Sequence, residues 1–198
     1  AGGLWDAETG EDLAIFQGHE GTIAGNVHFS RSGTTVITAS SDGTVREWNV
    51  LSEGQRSFSS AAPGRFASTS DPTYVEKRIA VQTNLGTIQV IDVDSPAASY
   101  GLELPGARTV SSLAFAPDGR SIVIVARDAI TRAPEHAARS LDARKGTPLA
   151  EFPHANGTHV YDARCSPDGC LVVTAADDHL ALIWNARTGE LVRELRGH

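Results

Sequence analysis

The sequence lacks the residues that mark several common classes of protein. Methionine is absent, and cysteine occurs only at Cys165 and Cys170, too few for the disulfide framework of a small secreted domain. No apolar run approaches the roughly 20 residues of a membrane-spanning helix, and no signal peptide opens the chain. We therefore expect no membrane partner and a cytoplasmic location. Because methionine is missing even at the start, we also expect the native N-terminus to lie outside this sequence.

Positive charge is scarce as well. Lys and Arg number 17 against 24 Asp and Glu, which gives a net charge of -7, and only Lys77 and Lys145 are lysines. Proteins that bind nucleic acid rely on clustered Lys and Arg, so we expect no nucleic-acid partner. The composition is 40% hydrophobic and 21% charged, which favours a folded, water-soluble chain over disorder.

What the sequence does contain is a repeat. A large apolar residue followed by Asp or Asn recurs at intervals of 43, 43, 50 and 43 residues. The five pairs are Trp5-Asp6, Trp48-Asn49, Ile91-Asp92, Leu141-Asp142 and Trp184-Asn185. Such self-similarity at a fixed period indicates a repeat architecture.

Two further markers keep phase with these pairs. Turns that end in glycine close the segments 29–33, 115–119 and 165–169, and Gly-His occurs at 18–19 and 197–198. Short β-branched or alternating runs lie between the markers, as in 36–39, 44–48, 87–91, 122–125 and 171–174. About four short strands in each repeat predict an all-β fold of propeller blades.

This combination of markers resembles the WD-repeat family over essentially the whole chain. The resemblance implies four-stranded antiparallel blades around a central channel, with the tryptophan closing the third strand. Residues 1–17 would then end one blade, four blades would follow at 18–61, 62–104, 105–153 and 154–196, and 197–198 would begin another. We expect a partial propeller of about four and a half blades, a fragment of a longer protein. The preference for Arg over Lys and the many alanines indicate a bacterial-type member.

The first of these blades contains His19, Ser40 and Asp42, which could be mistaken for a catalytic Ser-His-Asp set. In the WD-repeat family these positions resemble a structural tetrad with Trp48, in which the indole donates to Ser, Ser to His, and Asp holds the His ring. Because each buried polar group needs a partner, we expect one connected, buried hydrogen-bond chain and no catalytic residues.

The last complete blade is expected to hold only part of that tetrad: His154, Asp178 and Trp184, with Ala176 where the serine would lie. The segment Asp177-Asp178-His179 is interpreted as a β-turn that carries the tetrad aspartate, not as a metal cluster. Cys165 takes the position of Phe29 and Phe115, which predicts a small core residue, although a cross-strand pair with Cys170 is imaginable.

Seven extra residues lie between the second and third strands of the third complete blade, within 127–139. Loops tolerate insertions and often carry function. In the family this loop lies on the face that most often meets peptides and proteins. The expected partner contacts on that face are Arg127, Arg132, Glu20, Thr22, Ser41 and Asp177.

Two functions are open at this point. The first is a non-catalytic protein-interaction scaffold, which the resemblance associates with larger bacterial signalling or regulatory proteins. The alternative is a propeller enzyme, a hydrolase or dehydrogenase, with its site at the central channel, where His28, Asp162 and Arg164 are the titratable residues of note. We favour the scaffold, with a protein or peptide partner and with no cofactor and no metal, since the Cys and His spacing fits no zinc site and the glycines form no phosphate loop.

Overall fold

The computed structural model of the chain describes residues 2–23, 27–29, 33–50, 55–59, 78–82, 87–92, 95–104, 107–128, 136–155 and 158–197. Within these ranges the chain forms 17 β-strands and one turn of 3-10 helix at Pro96–Ala98. No helix in the described part is long and apolar enough to cross a membrane.

The strands form five sheets, each built from strands that follow one another in the sequence. The first sheet holds β1 (Gly2–Trp5) and β2 (Asp12–Phe16); blade one holds β3 (His28–Phe29), β4 (Thr35–Ala39), β5 (Thr44–Asn49) and β6 (Gln55–Ser59); blade two holds β7 (Arg78–Gln82), β8 (Thr87–Asp92) and β9 (Tyr100–Glu103). Blade three holds β10 (Ala107–Phe115), β11 (Ser121–Asp128), β12 (His136–Asp142) and β13 (Pro148–Phe152); blade four holds β14 (Val160–Cys165), β15 (Leu171–Ala176), β16 (Ala181–Asn185) and β17 (Leu191–Leu195).

Every described strand pair is antiparallel. The prediction of an all-β propeller with four-stranded antiparallel blades is confirmed. Blades one, three and four show four strands each, and blade two shows three within the described residues. Residues 60–77 of blades one and two and the centre of the blade-three insertion at 129–135 lie outside the described residues.

In three of the five repeated pairs the Asp or Asn, which is Asp6, Asp142 or Asn185, has the same structural role. The carboxylate of Asp6 accepts hydrogen bonds from the backbone N–H groups of Glu8 and Thr9, each at 2.8 Å. Asp142 and Asn185 accept the same pair of bonds in blades three and four. These side chains replace missing backbone partners in the turn, so in these three sheets the repeated residue stabilises the turn into the last strand.

Neighbouring sheets pack face to face, and the core consists of the interfaces between them. The largest cluster joins blades two and three and includes Ile88, Leu102, Leu113 and Ile124. A second joins blades three and four, and two smaller ones join the remaining neighbours. The fold is thus held together by contacts between consecutive repeats, as in other repeat proteins.

Two of the three tryptophans, Trp48 and Trp184, lie at these interfaces. Trp48 packs against Phe16 of the first sheet, with 5.3 Å between ring centroids, and Trp184 packs against Phe152 of blade three at 6.1 Å. In blades two and three, Ile91 and Leu141 occupy the same repeat position and are buried in apolar clusters. The closing residues of blades one to four therefore each pack at the junction with the preceding sheet, whether or not they are aromatic.

Candidate functional site

Blade one contains a chain of buried hydrogen bonds between side chains. The indole N–H of Trp48 donates to Oγ1 of Thr38 at 2.8 Å, and Nε2 of His19 lies 2.7 Å from the same oxygen. Nδ1 of His19 lies 3.0 Å from Oδ2 of Asp42. Since the indole can only donate, the threonine hydroxyl accepts from Trp48 and donates to His19, and Nδ1–H donates to the carboxylate.

Asp42 also fixes the surrounding backbone. It accepts from the backbone N–H of Glu20 at 2.9 Å, and from the N–H and hydroxyl of Thr44 at 2.8 and 2.7 Å. One carboxylate therefore ties the segment before the inner strand to the turn between β4 and β5. The chain of side chains acts as an internal brace of the blade.

The structure corrects the predicted set of four residues at one position. Trp48, His19 and Asp42 are brought together, but the hydroxyl that links them belongs to Thr38 and not to Ser40. Val36 pairs directly with Trp48 across the strands, and Thr38 lies two residues further along, about 7 Å, within reach of the indole. Ser40 lies four residues from Val36 along the chain, which is twice as far as Thr38. Its side chain is buried, and its Oγ accepts a hydrogen bond from the N–H of Asp42 at 3.3 Å.

Blade four contains the same chain in complete form, so the prediction of a partial tetrad there is wrong. Trp184 donates to Oγ1 of Thr174 at 2.8 Å, His154 Nε2 lies 2.7 Å from that oxygen, and His154 Nδ1 lies 2.9 Å from Asp178. Ala176 leaves no gap because the hydroxyl is supplied two residues earlier. The sequence held a usable signal: Thr lies ten residues before both Trp48 and Trp184, whereas Ser40 has no counterpart.

The electrostatics agree with a structural role for both aspartates. Burial alone would raise the pKa of Asp42, but the hydrogen bonds from Thr44, Glu20 and His19 outweigh it and hold the pKa well below its ordinary value. The pKa of Asp178 is likewise lowered, since the bonds from His154 and Leu180 outweigh its burial. The side chains of His19 and His154 are each only 2% exposed, so a substrate has no access to either ring.

Asp177, Asp178 and His179 form the turn between β15 and β16, as the equivalent residues do in blade one. His179 has φ of 63°, where blade one has Gly43 with φ of 83°. Both cysteines are free thiols: Cys165 packs beside the blade-four core and Cys170 is exposed. Burial, helped by the charge of Asp118, raises the pKa of Cys165 to about 11, which makes it a poor nucleophile.

Of the expected partner contacts, four are exposed in the structure: Glu20, Thr22, Ser41 and Asp177. Thr22 and Ser41 are joined by two hydrogen bonds, and His159 and Asp177 are joined in the same way in blade four. These residues lie where inner strands begin and second strands end, which is one end of each blade. Arg127 ends the second strand of blade three, its side chain is not described, and Arg132 lies outside the described residues.

Two of the three titratable channel residues are described in full. Asp162 accepts a short hydrogen bond from Ser112 of the neighbouring inner strand, and Arg164 donates to Ser112 at 3.1 Å and lies 3.4 Å from Asp162. The ion pair lies within blade four, and its hydrogen bonds to Ser112 connect it to blade three. The side chain of His28 is not described. Within the described residues no three His, Cys, Asp or Glu side chains are placed to hold a metal ion.

Comparison with protein families identifies two of the repeats. The model for "WD domain, G-beta repeat" matches residues 10–49 and 146–185. These two segments contain Trp48 and Trp184, the two tryptophans with complete hydrogen-bond chains.

Several curated proteins are similar over most of the chain. "WD repeat-containing protein 82" of Drosophila melanogaster is 28% identical over 93% of this chain and 57% of that protein. "Eukaryotic translation initiation factor 3 subunit I" of Botryotinia fuckeliana is 27% identical over 96% of the chain and 57% of its own length. "Protein HIR1" of Candida albicans is 25% identical over 87% of the chain and 18% of its own length. The chain thus spans little more than half of the first of these relatives.

Proposed function

Because the chain carries WD repeats folded as blades of a β-propeller, we propose that it is a non-catalytic scaffold that binds a protein or peptide. The observation that carries this proposal is that the His, Asp and hydroxyl groups in blades one and four form buried hydrogen bonds with one another. Both ring nitrogens of each histidine are engaged and both rings are buried. A general base has to reach the proton that it removes, whereas these groups brace the blade.

The proposed binding surface is the end of the blades at which the inner strands begin. It is defined by Glu20, Thr22, Ser41 and Asp177, together with Arg127 and Arg132 of the blade-three insertion. In blades one and four, one backbone bond and one bond to a side-chain oxygen join the strand entrance to the adjacent turn, which supports a rigid position for Thr22, Ser41 and Asp177. A rigid surface loses little conformational entropy on binding, which suits a docking platform.

We further propose that the chain belongs to a larger signalling or regulatory protein in the cytoplasm of a bacterium. The composition supports a bacterial origin, with only two lysines among 17 basic residues. The greater length of the similar WD-repeat proteins supports a larger parent.

Capture of partners by surface variants tests the scaffold. The double variant Glu20→Lys/Asp177→Lys reverses charge on the proposed surface, and Glu8→Lys/Glu11→Lys makes the same change in an exposed turn at the opposite end of the strands. Quantitative mass spectrometry of proteins retained by each immobilised variant gives the readout. We expect a defined subset to be lost from the first variant and kept by the second; equal sets from both would overturn the proposal.

The insertion has its own test. Removing the seven residues 129–135 matches blade three in length to the other blades. If the insertion recognises a partner, the shortened chain melts as the parent does but loses a partner. Identical partner sets with and without the seven residues would exclude this role.

A further inference from the structure

Blade four differs from its neighbour at the entrance of the inner strand. In β14 the pairing shifts between Val160 and Asp162, which leaves Tyr161 as a bulged residue, and its side chain is 57% exposed. In β10 the same shift leaves Ser111 at the equivalent position, where its hydroxyl donates to the backbone of Val125. A β-bulge redirects a side chain, and in blade four the redirected side chain is a large aromatic one.

Tyr161 has an aromatic neighbour and an acidic one. The ring of His159 lies 5.0 Å from the ring of Tyr161, with an interplanar angle of 47°. The backbone N–H of His159 donates to Asp177 at 2.7 Å, and the N–H of Asp177 donates back to the carbonyl of His159 at 3.1 Å. The three residues, which we name the blade-four entrance, are therefore held in a fixed arrangement.

The charge of the blade-four entrance is negative. Asp177 is exposed and, among the residues that the structure describes, has no ion-pair partner. The nearby charges of Asp162 and Arg164 offset each other at 3.4 Å. Glu20 adds an exposed carboxylate on the same end of blade one, and the chain as a whole carries a charge of -7.

His159 contacts both an exposed aromatic ring and a carboxylate that has no ion-pair partner among the described residues, and such a combination attracts a cation. The guanidinium or ammonium group of a side chain gains from the face of a tyrosine ring and from a carboxylate at once. A phosphorylated or acidic segment would instead meet like charge. We propose that His159, Tyr161 and Asp177 bind an arginine or lysine side chain of an extended protein segment. This inference rests on the proposed scaffold function and specifies the chemistry of its partner.

Fluorescence polarisation with matched peptides tests the inference. The probes are dye-labelled glycine-serine decapeptides that carry two arginines, two lysines or two citrullines; citrulline has nearly the shape of arginine without its charge. We expect the arginine and lysine peptides to bind and the citrulline peptide to bind at least about fivefold more weakly. Rising salt should weaken the binding of the charged peptides.

Variants of the chain assign the binding to these residues. Tyr161→Ala and Asp177→Asn should each weaken binding of the arginine peptide about fivefold or more, whereas Tyr161→Phe retains the ring and should bind nearly as well. Asparagine keeps an acceptor for the N–H of His159, so the local backbone is preserved. Glu8→Gln removes an exposed charge at the opposite end of the strands and should leave affinity unchanged.

Three results would overturn the inference: no binding at peptide concentrations of a few millimolar, equal affinity for arginine and citrulline peptides, or unchanged affinity in Tyr161→Ala. None of these three results contradicts the scaffold proposal if the Glu20→Lys/Asp177→Lys variant loses partners that the Glu8→Lys/Glu11→Lys control keeps. Failure of the scaffold would instead appear as equal partner sets in those two variants, whatever the peptides do.

Discussion

At the scale of single residues, Thr38 should matter more to stability than any other hydroxyl in blade one. Valine has the shape of threonine but can neither accept from Trp48 nor donate to His19, so Thr38→Val leaves two buried groups without partners. We expect a loss of about 2 kcal/mol in the free energy of unfolding. Urea unfolding monitored by tryptophan fluorescence measures it, and Thr174→Val should show a similar loss in blade four.

Ser40→Ala is the matched control for Thr38→Val. Ser40 is equally buried, but among the described residues its side-chain oxygen makes one long bond, which it accepts from the N–H of Asp42. We expect a loss of about 1 kcal/mol or less. If Ser40→Ala destabilised the chain as much as Thr38→Val, the assignment of the linking hydroxyl to Thr38 would be wrong.

Asp42 should make stability depend on pH. Its pKa in the folded chain lies below its value in the unfolded chain, about 3.9, because the bonds from Thr44, Glu20 and His19 favour the charged form despite partial burial. The stabilisation is therefore complete at pH values above the unfolded pKa and is lost as the pH falls towards the folded pKa. The difference in unfolding free energy between the parent and Asp42→Asn, about 2 kcal/mol near pH 6, should shrink below pH of about 4. A difference that stayed constant down to pH of about 2.5 would contradict this account.

Ser140 offers the opposite case, a buried hydroxyl that costs stability. Its side chain lies in blade three beside the interface with blade four, and its Oγ has no hydrogen-bond partner in the described part of the chain. Because an unpaired buried hydroxyl is unfavourable, Ser140→Ala should leave stability unchanged or raise it by about 1 kcal/mol. A clear loss in the urea midpoint would show that the hydroxyl has a partner in solution.

The sequence predicted three of the four residues of the hydrogen-bond chain in blade one, but the hydroxyl was assigned to Ser40 in place of Thr38. Trp48, His19 and Asp42 could be predicted because they lie at or beside the repeated markers, whose positions are fixed by turns. Which residue supplies the hydroxyl depends on how far the indole extends along the paired strand, and therefore on the register between the two strands. Both Thr38 and Ser40 face the same side of β4, so only the register of Val36 opposite Trp48 separates them.

At the scale of elements, the junction of blades two and three depends on Arg78 at the start of β7. Its guanidinium donates to the carbonyl of Gly119 at 2.5 Å and to the hydroxyl of Tyr100 at 3.1 Å, and lies 5.3 Å from the centre of the Phe115 ring. Tyr100 in turn donates to the carbonyl of Ala143 at 2.8 Å. One cation thus connects β9 of its own blade with two turns of the next, where no tryptophan seals the junction.

Arg78→Ala should therefore destabilise the chain by about 2 to 3 kcal/mol, since hydrogen bonds from a charged donor and a cation–π contact are lost together. Arg78→Lys should recover little, because an ammonium group lacks the planar fork that reaches both acceptors. The exposed Arg193→Ala in β17 serves as the control, with an expected change within about 0.5 kcal/mol. Equal effects of Arg78→Ala and Arg193→Ala on the thermal midpoint would rule out the clamp.

The strands and turns were predictable from sequence, whereas this clamp was not. Alternation and turn glycines are local signals, and they placed strands such as β5 and β15 correctly to within two residues. Arg78 and Gly119 are 41 positions apart and belong to no marker. A contact that occurs in only one blade leaves no repeating pattern in the sequence, so it cannot be predicted from the repeat.

At the scale of the whole molecule, each blade is stabilised by its neighbours and not by a core of its own. The four apolar clusters all lie between consecutive sheets. The sequence period predicted this architecture, since a sheet of 40 or so residues cannot bury both faces alone. It could not predict how each interface is filled. Trp–Phe pairs serve two junctions, aliphatic side chains fill the junction of blades one and two, and aliphatic side chains with Phe115 and Tyr100 fill that of blades two and three.

The outer face of the first sheet should make the chain associate with itself. Leu4 and Phe16 pack against blade one, while the opposite face presents Trp5, Leu13 and Ile15, each more than half exposed. A contiguous apolar surface of this kind promotes association, so we expect the chain to form oligomers or aggregates at micromolar concentration. Trp5→Gln/Ile15→Thr should shift it towards monomer without lowering the thermal midpoint, because neither side chain is part of the core. Leu149→Gln removes an equally exposed leucine from β13 and should leave the distribution unchanged. Sedimentation velocity over a range of concentrations resolves the species, and a parent chain that stays a single monomeric species throughout would refute the prediction.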